Sequence, residues 1–173
     1  VNHGVDEDEI KLSMSESSPE EIVTKLAETK ALKASILNDG LVIGCDQGLD
    51  LNGKLVNKAK NFNEAHEQLK SMSGKEHTLI TTTVVAKENN IIWKYVDRGK
   101  MKMRILDEEI INEYLESIDE KILGLVGVYA IEEEGIKLFE RVGSDLFSIQ
   151  GISMIPLTQF LWDNGMLFEN NGH

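Results

Sequence analysis

The chain has 173 residues, enough for one domain with a buried core. Its 18 basic and 30 acidic side chains give a formal charge of −12, which disfavours stable binding to nucleic acid or to an anionic membrane surface. There is one cysteine and no apolar run near the ~20 residues that span a bilayer, so we expect a cytoplasmic protein without disulfides.

The first predicted elements lie between residues 6 and 56. The acidic stretch 6–9 is predicted to be a loop or a strand edge. A helix is predicted from the segment 18–21 to about Ser35, because this segment combines a hydroxyl cap, a first-turn proline and a glutamate three residues after the cap. The apolar run 41–45 predicts a short strand buried on both faces, and residues 49–56 predict a hairpin with a tight two-residue turn.

The second half of the chain continues the alternation of helices and strands. The predicted elements are a helix at 64–72, strands at 77–86, 91–96 and 101–105, a helix after the cap Asp107, and a terminal helix near Pro156. Ile105 and Ile110 are among the side chains predicted to face the core. These elements indicate one α/β domain, residues 1–173, with a mixed β-sheet and flanking helices.

Lys30 is the first residue that stands out chemically. At about 100° per residue it projects between Val23 and Leu26, in the middle of the helix's apolar stripe. A desolvated ammonium at such a position needs a partner. Lys30 therefore either extends to solvent from the edge of the stripe or points into a cleft to meet an anion.

Asp46 directly follows the predicted buried strand, where open α/β sheets place their ligand crevice. Its carboxylate can hold a divalent cation or orient a water there, and the alternative interpretation is a turn cap. Glu7 and Glu132 offer further oxygen ligands for magnesium or manganese, and Lys58 offers a second cation for phosphates. Taken singly, these three are also compatible with ordinary surface charge.

Several segments, read in chain order, resemble the Maf family, also called septum-formation-like proteins. The segments are Val5-Asp6-Glu7, Leu26-Ala27-Glu28-Thr29-Lys30-Ala31, Val42-Ile43-Gly44-Cys45-Asp46-Gln47, Gly53-Lys54-Leu55-Val56-Asn57-Lys58, the Ser73-Gly74-Lys75-Glu76-His77 stretch, and Gly127 to Glu132 followed by Leu138-Phe139-Glu140-Arg141. The resemblance implies a fold of the Maf and inosine-triphosphatase type. It also implies a homodimer that hydrolyses a nucleoside triphosphate to the monophosphate and pyrophosphate with a divalent cation, magnesium or manganese.

The resemblance further implies a role for each of six residues. These are Asp46 as proton acceptor, Glu7 as a catalytic residue that shares the metal with Asp46, Lys30 and Lys58 as phosphate-binding lysines, and Gln47 and Glu132 as substrate-binding residues. The Asp-Gln pair with Glu132 resembles the branch that acts on 7-methyl-GTP rather than the branch that acts on dTTP and UTP. With Lys30 in this role, Lys30→Met is expected to weaken nucleotide binding and to keep or raise thermal stability, since it removes a buried charge.

The family's opening Ser-x-Ser-x-x-Arg motif has no counterpart in the printed sequence. We therefore expect residues 1–173 to form a Maf-like domain without its first strand and phosphate loop, weakly active and prone to associate. The alternative function is a non-catalytic nucleotide-binding or interaction protein derived from this family. An acidic scaffold unrelated to nucleotides is a third candidate.

Overall fold

The computed structural model describes residues 4–168, which form a five-stranded β-sheet with helices packed around it. The helices are α1 (Glu7–Ser13), α2 (Pro19–Ile36), α3 (Phe62–Met72), α4 (Glu108–Ser117), α5 (Leu146–Ile149) and α6 (Met154–Asp163). The strands are β1 (Val42–Leu51), β2 (Lys54–Val56), β3 (Glu76–Lys87), β4 (Asn90–Met103) and β5 (Phe139–Arg141). Short 3₁₀ segments at Glu120–Gly124, Val126–Val128 and Glu134–Leu138 connect α4 to β5.

The strand order in the sheet is β2-β1-β3-β4-β5, and each neighbouring pair over residues 4–168 is antiparallel. This arrangement confirms the α/β class with helices flanking a β-sheet, and the sheet predicted to be mixed is antiparallel throughout the described residues. Over the same residues, no helix has the length and apolar composition needed to cross a bilayer. One Maf-like domain over 1–173 without its first strand and phosphate loop stays a prediction, and its ends, 1–3 and 169–173, lie outside the described residues.

The predicted loop or strand edge at 6–9 is wrong, because this stretch begins α1. Oδ1 of Asp6 accepts a hydrogen bond from the backbone N–H of Glu9 at 3.0 Å, which caps the helix. The acidic side chains that suggested a solvated loop fill the first turn of α1, where the helix dipole favours negative charge. The helix places Glu7 at its start.

The helix predicted from Ser18 is confirmed as α2, with both hydrogen bonds of the capping box between Ser18 and Glu21. Its apolar stripe is buried against the sheet. Glycines on β1 allow this close packing, since a Cβ at Gly44 would lie 2.7 Å from Cβ of Ala31 and one at Gly48 would lie 2.4 Å from Cγ2 of Val23. The close approach brings the middle of α2 next to the middle of β1.

The first strand is longer than the predicted segment 41–45, and it is not buried on both faces. It pairs with β3 from Val42 to Asp50, so the strand continues beyond the apolar run that suggested its end. Ile43 is 46% exposed, because one face of this part of the strand is open to solvent. The hairpin with its two-residue turn is confirmed, with positive φ angles of 55° at Asn52 and 80° at Gly53.

The two strands predicted at 91–96 and 101–105 form one continuous strand, β4. This strand ends at Met103, so the inward alternation does not extend to Ile105, which is 81% exposed. Ile110 is also exposed, whereas the next residue of α4, Ile111, is buried in the main core. The main core includes Leu49, Leu69, Met72, Leu79, Met101, Met103, Ile111, Tyr114, Tyr129, Leu138 and Phe139.

Candidate active site

Three charged side chains that the sequence singled out meet in one cluster between α1, α2 and β1. Nζ of Lys30 lies 2.5 Å from Oδ1 of Asp46 and 2.7 Å from Oε1 of Glu7. The side chains of Lys30 and Asp46 are only 15% and 10% exposed, and that of Glu7 is 35% exposed. The ammonium therefore points inward to two carboxylates rather than outward to solvent.

Asp46 lies in the middle of β1, not after the strand as the sequence suggested. It pairs with Thr82 of β3, and its neighbours Gly44 and Gly48 are the residues against which α2 packs. Since successive side chains of a strand point to opposite faces, Asp46 shares the α2 face with these glycines. Its carboxylate is therefore placed by strand register and by the helix that packs over it.

The three groups shift each other's protonation. Burial raises the pKa of Asp46, and this effect outweighs the opposing hydrogen bond and charge of Lys30. Burial also acts to raise the pKa of Glu7, but the ammonium of Lys30 outweighs it and the pKa of Glu7 is lowered. The pKa of Lys30 is raised because its two carboxylate partners together outweigh its burial. Of the two carboxylates, Asp46 therefore binds a proton more readily.

The cluster opens on a narrow cleft whose walls come from α1, α2, β1, β2 and the segment that follows β2. Its lining residues are Glu7, Lys11, Val23, Leu26, Asp46, Gln47, Gly48, Leu55, Val56, Asn57, Lys58 and Val126. Lys58 is exposed and reaches the cleft from the hairpin side. Lys58 thus lines the same cleft as Glu7 and Asp46, the two carboxylates that Lys30 bonds.

Lys11 is a further cation at this cleft, and the sequence interpretation missed it. It lies one turn after Glu7 on α1, and its charge acts to lower the pKa of both Glu7 and Asp46. The Glu-to-Lys spacing of four residues, typical of neighbours on one helix face, was available as a signal. It went unused because residues 6–9 were predicted to be a loop.

Gln47 points to the opposite face of the sheet from Asp46. Its Nε2 donates to Oγ1 of Thr81 at 2.9 Å and to the backbone carbonyls of Ile149 at 2.9 Å and Ser148 at 3.2 Å. Glu132 is exposed and lines a second cleft together with Gln47. This second cleft shares Gln47 and Val126 with the first, so the two form adjoining parts of one region.

Glu7 and Asp46 have the chemistry required of a magnesium or manganese site. Mg²⁺ is commonly held by one or two carboxylates together with substrate phosphates, rather than by a complete cage of protein ligands. Within residues 4–168, no three His, Cys, Asp or Glu side chains converge as a metal-binding group. The ammonium of Lys30 bonds both Glu7 and Asp46, which shows that the two carboxylates lie close together. Two neighbouring carboxylates suit a magnesium or manganese ion whose remaining ligands include substrate phosphates.

His77, from the Ser-Gly-x-x-His stretch, lies away from this cluster in the main core. Its ring is 2% exposed, and Nε2 lies 3.0 Å from the hydroxyl of Tyr129. Burial lowers the pKa of His77 to about 4, so its ring is neutral at physiological pH. The residue therefore acts in the packing of the fold rather than in the cleft.

The sheet and its packed helices define an α/β protein. Its cleft contains the carboxylates of Glu7 and Asp46 and is lined by Lys11 and Lys58, which suit an anionic ligand. This chain belongs to the Maf family: the family model described as Maf-like protein matches residues 1–164. The resemblance of the ordered sequence segments to this family is therefore confirmed.

Curated relatives match along most of the chain. A nucleoside triphosphate pyrophosphatase of Caulobacter vibrioides is 38% identical over 169 residues, which cover 96% of this chain and 85% of that protein. A 7-methyl-GTP pyrophosphatase of Rhizobium meliloti is 38% identical over 157 residues, 90% of this chain and 79% of that protein. A 7-methyl-GTP pyrophosphatase of Bartonella henselae is 40% identical over 153 residues, 88% of this chain and 77% of that protein.

Proposed function

We propose that this protein is a nucleoside triphosphate pyrophosphatase, which hydrolyses a nucleoside triphosphate to the monophosphate and pyrophosphate. The observation that carries the proposal is the Lys30–Asp46–Glu7 cluster, whose two carboxylates line one cleft together with Lys11 and Lys58. The names of relatives 38% identical to this chain support the same reaction.

Asp46 is the proton acceptor in this proposal. A water attacks the α-phosphorus, an oxygen–phosphorus bond forms, and the bond to the β-phosphate breaks so that pyrophosphate leaves. Lys30 contacts Oδ1 of Asp46, and we assign Oδ2 to the water, whose proton it takes. The raised pKa of Asp46 makes its ionised carboxylate a stronger base than an exposed aspartate, which suits this role.

The lysines at the cleft bind different anionic groups in this proposal. Lys30 holds the two carboxylates in place, and its own charge is largely balanced by them. The cations that meet the triphosphate most directly are then Lys58 and Lys11, which line the cleft. A magnesium or manganese ion, when bound by Glu7 and Asp46, would supply further positive charge for the phosphates.

Substrate preference is proposed to favour 7-methyl-GTP over dTTP and UTP. Glu132 supports this preference because a carboxylate accepts two hydrogen bonds side by side, and guanine offers two adjacent N–H donors on its pairing edge. Uracil and thymine present one N–H between two carbonyls, which would face the carboxylate unfavourably. Relatives named 7-methyl-GTP pyrophosphatase, such as the Rhizobium meliloti protein, support it as well.

The homodimer is also proposed, with an uncharged apolar face as its interface. Phe147, Ile155 and Trp162 are 50%, 61% and 61% exposed and line one shallow depression on α5 and α6. Contiguous apolar surface of this kind commonly marks protein–protein contacts, and a chain with a formal charge of −12 would meet its copy best where charge is lowest. Sedimentation velocity of wild type and Trp162→Lys tests this, with a monomeric wild type as the contradicting result.

A cytoplasmic location stays a proposal from the single cysteine and the nucleotide substrate.

The reaction is tested by measuring pyrophosphate release from a panel of canonical and modified triphosphates with magnesium or manganese. We expect release from several triphosphates, fastest with 7-methyl-GTP. Faster hydrolysis of dTTP or UTP would contradict the substrate preference. Thermal stabilisation by nucleotide without any pyrophosphate release would favour the non-catalytic nucleotide-binding alternative.

A further inference from the structure

The amide nitrogen of Gln47 is fully engaged with the protein. Its Nε2 donates to Thr81 on the neighbouring strand and to two carbonyls at the end of α5, those of Ser148 and Ile149. An amide nitrogen carries two hydrogens, so these three acceptors leave no donor for a ligand. Gln47 lies beside Asp46 in sequence, yet its side chain is bound to a helix on the other face of the sheet.

A network of buried hydroxyls holds the same end of α5. Thr81 Oγ1 donates to the carbonyl of Ser148 at 2.8 Å, and the hydroxyls of Ser148 and Ser153 are hydrogen-bonded to each other at 3.1 Å. The backbone N–H of Ser153 in turn donates to Oγ1 of Thr83 at 3.0 Å. Thr81, Thr83, Ser148 and Ser153 are each at most 1% exposed. A satisfied buried network of this kind fixes α5 in one position on the sheet.

The position of α5 on the sheet determines where Gln150 lies. It directly follows α5, its backbone N–H donates to the carbonyl of Leu146, and it is exposed. It lines the second cleft together with Glu132 and Gln47. The orientation of Gln150 toward that cleft therefore depends on where Gln47 and Thr81 hold the last turn of α5.

We propose that Gln150 is a specificity-determining residue that hydrogen-bonds the nucleobase, and that Gln47 is a positioning residue that acts on it through α5. The proposal rests on the proposed function, since it concerns the base of the same nucleotide. An amide both donates and accepts, whereas the carboxylate of Glu132 only accepts. Together, the two side chains read a base edge that presents donors beside an acceptor, which is the arrangement of guanine.

The experiment compares kcat/KM for 7-methyl-GTP and for UTP in four variants, Gln150→Ala, Gln47→Met, Thr81→Val and Asn112→Ala. Gln150→Ala is expected to lower the ratio of the two values roughly tenfold, mainly through KM for 7-methyl-GTP. Thr81→Val removes a bond to α5 from a buried site that no nucleotide reaches, and it should shift the ratio in the same direction. Asn112→Ala, an exposed amide on α4, serves as the matched control and should leave the ratio unchanged.

The contradicting results are separate for the two halves of the proposal. Equal changes for both substrates in Gln150→Ala would overturn the role of Gln150. A ratio that falls in Gln47→Met but not in folded Thr81→Val would show that Gln47 touches the base itself, and would overturn its positioning role.

If wild type releases no pyrophosphate, the proposed reaction fails, and the same comparison is then made with the dissociation constants for the two nucleotides. An unchanged ratio of dissociation constants in Gln150→Ala would overturn the inference, and so would the absence of nucleotide binding.

Discussion

The ammonium of Lys30, in the middle of α2, lies 2.5 Å from Oδ1 of Asp46, in the middle of β1. This pair joins the helix that packs on the sheet to the strand that carries the proposed base. It is largely buried, and Glu7 completes it from α1. The pair therefore links the stability of the fold to the chemistry of the cleft.

The first prediction concerns Lys30→Met. The sequence alone led to the expectation that this change would keep or raise stability, because it removes a buried charge. The structure reverses the expected sign, since the change leaves two neighbouring carboxylates without their shared cation. We expect a loss of about 1–3 kcal/mol in the free energy of unfolding at neutral pH.

The loss in Lys30→Met should depend on pH. The pKa of Asp46 is raised in the fold, so its contribution to stability is present below its unfolded pKa and is lost as pH rises through its folded pKa. Without Lys30 this loss grows, because burial is no longer opposed. Denaturant titrations should therefore show Lys30→Met closest to wild type in acid, and the double variant Lys30→Met/Asp46→Asn should recover stability at neutral pH. A single variant as stable as wild type across this range would contradict the account.

The second prediction separates phosphate binding from stability at Lys58. Lys58 is exposed, so Lys58→Met should leave the melting temperature near that of wild type. It should raise KM for the nucleotide roughly tenfold, because one cation at the cleft is lost. Lys60→Met, another exposed lysine two residues further on, is the matched control. Equal effects of the two changes on KM would show that Lys58 has no special place at the cleft.

The third prediction follows from the buried ring of His77. Its pKa is lowered to about 4 by burial, so the folded state binds a proton less readily than the unfolded chain, whose value is near 6.5. Its contribution to stability is therefore present above the unfolded pKa and is lost as pH falls toward the folded one, by on the order of 3 kcal/mol. The difference between the pH profiles of wild type and His77→Phe, measured by denaturant unfolding, isolates this contribution. If the free energies of unfolding of wild type and His77→Phe change with pH in parallel, His77 makes no such contribution.

The segments α2 and β1 show best how much of the structure could be predicted from the sequence. The cap at Ser18 and the apolar stripe predicted α2 correctly, since both signals are local and helical spacing is regular. The same spacing drew attention to Lys30 as an inward lysine. The sequence also singled out Glu7 and Asp46 as separate candidates, but it could not show that both contact Lys30. That contact depends on how closely α2 packs on Gly44 and Gly48, which are distant from it in the sequence.

The misplaced end of the first strand and the unforeseen hydrogen bonds of Gln47 have the same origin, and the substrate-binding role of Gln47 stays a prediction. The end of the first strand was placed at the end of its apolar run, whereas pairing with β3 carries the strand through Asp46 to Leu51. Gln47 was identified from the family resemblance as a residue that binds substrate. Sequence alone could not indicate that its amide bonds Thr81 and the end of α5, because the bonded carbonyls belong to a segment about one hundred residues later.

The central claim, that Asp46 is the proton acceptor of a nucleoside triphosphate pyrophosphatase, is tested most directly by pyrophosphate release from Asp46→Asn. The amide keeps the shape of the side chain but cannot take the proton, so kcat should fall by about 10²-fold or more while the folded structure persists. Asp39→Asn, at an exposed position before β1, is the control and should retain full activity. Near-normal release by folded Asp46→Asn at saturating metal and nucleotide would contradict the account.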